Sequence, residues 1–347
     1  MSHKVVSIIT PSFNRGYIVG ETAVSIFNQT YPYWEWMVVD DGSSDNSLQI
    51  LKEYAEKDPR VRIQTRDREP KGACTCRNIA VDNSTGDYVM FLDTDDLMAP
   101  FCLEQRVKAM EANPGCDFVI FPMLLFKKEP YDLNLLWNVE TGEDDLMRVL
   151  KNDPVCQGTG PLWKKSSFQE VGMWRNDLKL WQDVELHIRS LLWPMKFAKR
   201  LDLQPDVFLR ISDDSLSRIG FHQLPKLQSR VTVFEYACTK IQEKGLLNKY
   251  KEGLRVMGVD IMGNAIRSGH GKELAKLLSI SSKGSLFSEK EMKSIKQYAL
   301  VVKFKLSRFG LIRDFFAAPI ARMTPQNPSR VGTCTFSKVT LETTIQN

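Results

Sequence analysis

Histidine is scarce, with four in 347 residues, and no Cys-x-x-Cys pair occurs, so there is little from which to build a zinc site. The seven cysteines, at 74, 76, 102, 116, 156, 238 and 334, are odd in number and irregularly spaced, which argues against a disulfide framework. Cys74 and Cys76 stand closer together than zinc ligands usually do and are expected to be reduced thiols filling small spaces. The amino terminus lacks a secretory leader: Lys4 leads straight into Val5-Val6-Ser7-Ile8-Ile9, a strand-like run, and the expectation is a cytoplasmic protein. Nor is there an uninterrupted apolar stretch of the about 20 residues that cross a bilayer as a helix. The nearest, Leu300 to Met323, is broken by Lys303, Lys305, Arg308 and Arg313. With 43% apolar and 26% charged residues, what is present is an ordinary globular composition, long enough for one large domain and an accessory region.

The net charge of +5 is unevenly spread: residues 1 to 219 carry 26 Lys+Arg against 33 Asp+Glu, and residues 220 to 347 carry 21 against 9. An acidic and a basic part are expected to do different work. Up to about residue 219, strand-like and helix-like stretches alternate, which predicts an α/β domain with a mainly parallel sheet flanked by helices. The strands expected at 5–10, 36–39, 62–65 and 88–92 run into Pro11-Ser12-Phe13-Asn14, Asp40-Asp41-Gly42-Ser43-Ser44, a weakly patterned segment, and Asp93-Thr94-Asp95-Asp96. Beyond residue 220 helical periodicity dominates, at 229–245, 252–268 and 288–306, the last opening on the capping box Ser288-Glu289-Lys290-Glu291. The expected division is a catalytic domain over 1–219, a basic helical region over 220–323 and a flexible tail over 324–347.

Ligands of open α/β sheets gather where loops leave the carboxyl ends of the strands. Asn14, Asp40, Asp41, Asp93 and Asp95 all occupy such positions. Two carboxylates one residue apart at a strand end can share a divalent cation, magnesium or manganese, because hard cations take oxygen ligands and commonly add substrate phosphates to one or two carboxylates. Metal and diphosphate then explain each other. A solvated turn or a cap for the following helix would explain Asp93 to Asp96 alone, but not the Asp40-Asp41-Gly42-Ser43 turn and Arg77 as well.

The segments VSIITPSFNR, VVDDGSSDNS, GACTCRNIAVDNSTGDYVMFLDTDD, GPLWKKSSFQEVGMW and WQDVELHIRSLL resemble, in order and spacing over residues 4 to about 215, the family 2 glycosyltransferases, inverting enzymes of the GT-A fold. The resemblance implies a nucleotide-sugar half over about 1–100 and an acceptor half over about 101–219. It implies that Pro11, Ser12 and Phe13 line the nucleotide base, that Asp41 meets a uracil edge, and that Arg77, Asp93 and Thr94 lie along the donor. Asp95, with Asp93, would hold the metal, and Asp183 would be the general base. Two departures stand out: Gln182 precedes Asp183 where the family often has glutamate, and Leu209-Arg210-Ile211-Ser212 lacks the family's usual histidine. His187, one helical turn beyond Asp183, and Trp163, Trp174 and Trp181 flank the presumed acceptor side, where aromatic faces stack on sugars, although for each alone packing is the better reading.

The activity implied is transfer of a sugar, from a UDP-sugar or similar donor, to a saccharide or lipid-linked glycan. A catalytically silent nucleotide-sugar-binding scaffold is the alternative, opposed by the presence of Asp41, Asp93, Asp95 and Asp183. A nucleotidyltransferase would bring a glycine-rich phosphate loop, which Pro11 to Gly16 is not. For the basic carboxyl-terminal part, no nucleic-acid recognition motif accompanies the charge. Two readings stay open for it: peripheral contact with the inner face of the membrane through an interfacial amphipathic helix near 300–323, and a helix packed on the catalytic domain with its lysines in water.

Overall fold

A computed structural model describes residues 3–212, 220–323, 332–338 and 341. From the amino terminus the elements are β1 (Val6–Ser12), α1 (Val19–Phe27), β2 (Trp34–Asp40), α2 (Ser47–Lys57), β3 (Val61–Thr65), α3 (Ala73–Asn83), β4 (Tyr88–Phe91) and β5 (Leu97–Met98). There follow α4 (Cys102–Ala112), β6 (Phe118–Ile120), β7 (Met123–Phe126), β8 (Leu135–Leu136), α5 (Asp145–Leu150), β9 (Pro161–Lys164), α6 (Lys165–Glu170), α7 (Gln182–Leu192), β10 (Phe197–Lys199) and β11 (Val207–Arg210). The remainder comprises α8 (Leu224–Glu243), α9 (Leu247–Arg267), α10 (Gly271–Lys283), α11 (Glu289–Lys303), α12 (Gly310–Ala321) and β12 (Gly332–Thr333).

The main sheet has the order β10-β6-β9-β4-β1-β2-β3. Strands β3, β2, β1 and β4 run parallel, and β9 is inserted antiparallel between β4 and β6. Because β1, β2 and β4 are covered on both faces, their sequences are near-continuous apolar runs, with Ile8, Val38 and Met90 inaccessible to water. A second, smaller sheet has the order β12-β8-β7-β11-β5. The buried ion pair Arg106–Asp206, bidentate at 2.7 and 3.0 Å, joins α4 to the segment before β11 and so ties the two sheets together.

At the opposite end of the main sheet from its loops, buried Glu35 accepts hydrogen bonds from Ser7 Oγ at 2.7 Å and from the Gly86 N–H at 3.1 Å, and from Thr85 as well. Burial works to raise this carboxyl's pKa, but the hydrogen bonds outweigh it and the net direction is downward.

The carboxyl-terminal helices are not a separate body. Phe234, Leu254, Met257 and Ile261 of α8 and α9 share one apolar core with Leu146 and Leu150 of α5 and with Val184, Ile188 and Leu192 of α7. Leu186, on the same α7, belongs to the core of the main sheet. Helix α7 therefore lies between the two cores. Its first residue follows Trp181, held in the left-handed conformation at φ 64°, with the Arg230 guanidinium of α8 4.7 Å from the Trp181 ring. The expected flexible tail also departs from expectation in its described part. Thr333 and Gly332 pair with Leu135 and Leu136 as the edge strand β12, and Cys334 is buried beside Phe126 and Phe208, because the apolar edge of the small sheet offers both hydrogen bonds and surface to cover.

Two predictions follow from this packing. A chain ending at residue 219 exposes Val184, Ile188 and Leu192, each worth about 1.5–3 kcal/mol when buried. Such a chain is expected to lose its cooperative thermal transition and bind a hydrophobic dye; a melt matching that of the full chain would refute the shared core. Glu35→Gln is expected to cost about 1–3 kcal/mol near neutral pH by leaving buried donors poorly matched. Since the folded pKa lies below the unfolded one, this contribution is present above the unfolded value and vanishes as pH falls through the folded value, so denaturant midpoints of the two proteins should converge in acid.

Candidate active site

The loops after β1, β2 and β4 meet at one edge of the main sheet. Asp40 closes its own turn by accepting from the N–H groups of Gly42 and Ser43 at 3.0 and 2.8 Å. The loop after β1 docks on that turn: the Asn14 N–H donates to Ser43 Oγ at 2.9 Å, and Asn14 Oδ1 accepts from the Ser44 N–H at 2.8 Å. Asn14 reaches this position with φ 52°, a conformation asparagine tolerates. Asp41, buried, is fixed by its N–H to Ser12 O at 2.8 Å and by Arg66 Nε, which donates to its Oδ1 at 2.6 Å. Cys76 presses on Asp41 from α3; burial first, and then that carboxylate, push its thiol up to about 12. Burial likewise pushes Cys74 up to about 11, so both thiols stay protonated at neutral pH, and both are free and buried, as the expectation of reduced, space-filling thiols has it.

Phe13 is exposed at the rim with the Lys71 ammonium 3.8 Å from its ring centre. Ser12 is buried and Pro11 partly so, which leaves Phe13 as the member of the expected base-lining trio that presents a side chain to solvent. Thr94 is a similar correction. Its side chain is buried, and its carbonyl accepts from Thr22 Oγ1 at 2.8 Å, because the turn after β4 is tied down onto α1.

The acidic turn and α3 face each other. Arg77 Nη2 donates to Asp93 Oδ1 at 2.6 Å, and the guanidinium lies 5.1 Å from the Trp174 ring. Burial opposes the charge on Arg77, but Asp93, Cys74 and Asp183 together raise its pKa. Asp183, in the first turn of α7, thus lies within electrostatic reach of both Arg77 and Cys74. Burial, and then Asp93, push the Asp95 carboxyl up, with Arg15 opposing; burial, Asp95 and Asp93 push Asp96 up further. Asp96 Oδ1 accepts from the Arg210 N–H at 3.0 Å, while Arg210 Nε donates to Asp95 O at 3.0 Å. Asp96 therefore secures β11 rather than facing a ligand.

Several side chains expected on the acceptor side are elsewhere. Trp163, on the central antiparallel strand β9, is fully buried with its ring 4.0 Å from that of Phe118, so it cannot stack on a sugar. Trp174 is buried against Phe91, as core packing required. Trp181 has the Arg230 guanidinium against its ring and packs into the second core. His187 is buried with Nε2 3.2 Å from Cys156 Sγ, and burial pushes its pKa down, so it is an uncharged packing residue. These positions alternate with polar ones at a helix start or strand, and only tertiary packing decides which side they face. Glu185 is likewise internal, paired with Arg189 at 2.8 and 3.0 Å.

Arg66, Lys71, Arg15 and Arg210 are the site cations that motif reading passed over. Arg66 follows the weakest strand, and its partner Asp41 is remote in sequence, so no local spacing pointed to the pair. For a metal, the available set is the two carboxylates Asp93 and Asp95; among the described residues no group of three or more His, Cys, Asp or Glu side chains converges. The set still fits a magnesium-type ion, which takes hard oxygen ligands and completes its shell with phosphate oxygens and water. A divalent cation would also offset the repulsion that raises Asp95.

The parallel sheet with carboxylates at its strand ends, joined to a smaller mixed sheet, is the GT-A fold of nucleotide-sugar transferases. Staphylococcus aureus TarS shares it: superposition covers 86% of this chain and 53% of that one, with a TM-score of 0.61 at 16% identity. A second TarS structure, of residues 1–349 in complex with UDP-GlcNAc, superposes with a TM-score of 0.60 over 86% of this chain and 87% of that one, at 16% identity. Residues 7–172 match the family described as Glycosyl transferase family 2, so this chain carries a domain of that family. Relatives include Bacillus subtilis TuaG, a putative teichuronic acid biosynthesis glycosyltransferase, 34% identical over 129 residues, or 37% of this chain and 51% of TuaG. Escherichia coli WfgD, a UDP-Glc:alpha-D-GlcNAc-diphosphoundecaprenol beta-1,3-glucosyltransferase, is 36% identical over 113 residues, or 33% of this chain and 44% of WfgD. Escherichia coli YibD is 37% identical over 203 residues, 55% of each chain. The chain thus spans about half the length of these curated relatives.

Arg77→Met is expected to lower stability by about 1–3 kcal/mol, because it removes a charge-assisted hydrogen bond from Asp93, whose side chain is 40% exposed and so keeps part of its hydration. Arg77→Met/Asp93→Asn should recover much of the loss. Denaturant unfolding of the four proteins in the cycle measures the coupling, and additive losses would count against the pairing described above.

Proposed function

We propose that this protein transfers a sugar from a nucleotide-diphosphate donor, a UDP-sugar, to a saccharide or lipid-linked glycan with inversion at the anomeric carbon. The observation that carries the reading is the gathering of Asp93, Asp95, Arg77 and Asp183 around one strand-end site. The UDP-GlcNAc complex of TarS and the donor and diphosphoundecaprenol acceptor in the name of WfgD support the substrate classes.

In this reading Asp41, oriented by Arg66, accepts from the base edge, and Phe13 lines the base beside Lys71. Asp93, held by Arg77, faces the ribose and sugar. Asp95, with Asp93, would hold Mg2+ or Mn2+, which when bound offsets charge developing on the departing diphosphate. Asp183 accepts the proton of an acceptor hydroxyl as that oxygen bonds to the anomeric carbon from the face opposite the diphosphate. The bond from that carbon to the diphosphate oxygen breaks, and the nucleoside diphosphate leaves with the electron pair. No covalent sugar–enzyme intermediate forms. Gln182, whose Nε2 donates to Leu178 O at 3.1 Å, is committed to the α7 entry and leaves proton transfer to Asp183 alone.

A screen of nucleotide sugars for metal-dependent release of UDP or GDP tests this. Asp183→Asn should retain donor binding and lose about 10²–10⁴-fold in turnover, and Asp95→Ala should lose metal dependence. Failure of the wild type to bind any nucleotide sugar with magnesium or manganese present would sink the proposal. Binding with unchanged turnover in Asp183→Asn would sink only the assignment of the base, and binding without turnover would point to the silent scaffold.

The same reading places the enzyme at the inner face of the membrane as a peripheral protein, where a lipid-linked acceptor is presented. Among the described residues no helix is long and apolar enough to cross a membrane.

A further inference from the structure

The corner between α11 and α12 carries a surface that the catalytic reading does not use. Helix α11 buries Ile295 and Val301 and ends where Lys305 adopts φ 57°; Leu306–Arg308 form one tight turn, and α12 begins at Gly310. Leu300, Phe304, Leu306, Phe309, Leu311 and Phe315 are all exposed along this corner, Leu311 by 89% and Phe315 by 73%. Large apolar side chains rarely crowd together in water, and where they do they mark a contact surface.

The charge around them says what kind. Between residues 300 and 315 there are four cations, Lys303, Lys305, Arg308 and Arg313, and one acid, Asp314, which pairs with Arg313 at 2.8 Å. Lys303, Lys305 and Arg308 form no ion pair among the described residues. The Arg308 guanidinium lies 4.8 Å from the Phe309 ring and the Lys303 ammonium 6.0 Å from that of Phe304, so positive heads and aromatic faces sit at one level. Apolar rings with cations beside them match the boundary between acyl chains and anionic headgroups. A second copy of the chain would set the same uncompensated positive charge against itself, which disfavours self-association through this face.

We infer that the α11–α12 corner seats the protein on an anionic lipid bilayer, Phe304, Leu306, Phe309, Leu311 and Phe315 entering the interface while Lys303, Lys305 and Arg308 meet the headgroups. This deepens, and for its purpose rests on, the reading of the acceptor as a lipid-linked glycan. The site is a surface contact only. Both helices remain outside the hydrocarbon, and the core beneath them, with Ile295 and Val301, is undisturbed.

The test is flotation of the full-length protein with vesicles of phosphatidylcholine alone or mixed with phosphatidylglycerol. The wild type should float with the mixed vesicles, less so at high salt, and should not float with phosphatidylcholine. Phe304→Ser/Leu311→Ser/Phe315→Ser and, separately, Lys303→Glu/Lys305→Glu/Arg308→Glu should each lower the bound fraction at least about tenfold. Because all six positions are exposed, melting temperature and UDP-GlcNAc binding should match the wild type. A wild type that stays unbound with mixed vesicles, or variants that float like it, would overturn the inference. So would sedimentation showing a wild-type dimer that the serine variant abolishes without any vesicle binding. Flotation that follows these expectations in a protein unable to bind any nucleotide sugar would uphold the surface and reject the catalytic reading.

Discussion

The contact of Arg77 with Asp93 at 2.6 Å sets one guanidinium against the acidic turn after β4, within electrostatic reach of Asp183 as well. Without it, Asp93 would face Asp95 across the turn after β4 with no paired cation of its own, although Thr22 and Arg210 still tie the turn to α1 and β11. Arg77 is able to hold this place because α3 is preceded by Gly72, whose φ of 145° lets the chain turn directly from the Lys71 rim into the helix. Its other neighbour, Trp174, comes from the segment between α6 and α7, so the cation also couples the strand-end carboxylates to the part of the chain that delivers α7.

That coupling makes the basic helices part of the site's support. Helix α7 presents Asp183 at one end and divides its apolar side chains between two cores. Arg230 of α8 then braces the residue before the helix, Trp181. Asp183 is thus positioned by packing on both sides, which is what the proposed role as proton acceptor would require. The charge asymmetry between the two parts of the sequence does not mark two bodies; it marks two outer surfaces on one packed assembly.

Much of the donor edge was legible in the sequence because it is written locally. β1, β2 and β4 are apolar runs closed by Asn14, Asp41 and Asp93 to Asp96, and the capping box at Ser288 and Glu291 forms as its spacing implied. Cross-chain features were not. Arg66 and Arg210 reach their acidic partners across 25 and more residues, and the second end of β11 is recognisable only once it is laid beside the acidic turn. Trp163 and His187 sit in motifs that invite a role in sugar binding, yet burial is a property of the whole packing, and strand β9 and helix α7 turn both inward. The short strand β12 escaped notice for a related reason: two residues pairing with an edge carry no periodicity of their own.

The family match ends at residue 172, eleven positions before the carboxylate read as the base, and the core that supports that carboxylate is completed by α8 and α9. The matched segment therefore stops short of α7 and of the helices that pack on it. A chimera joined at residue 172 would inherit the strand-end carboxylates intact and a helix whose buried face had been cut for a different neighbour. Any exchange between such proteins is better made with α7 and its supporting helices moved as one block, since their mutual packing, rather than any single residue, sets where Asp183 lies.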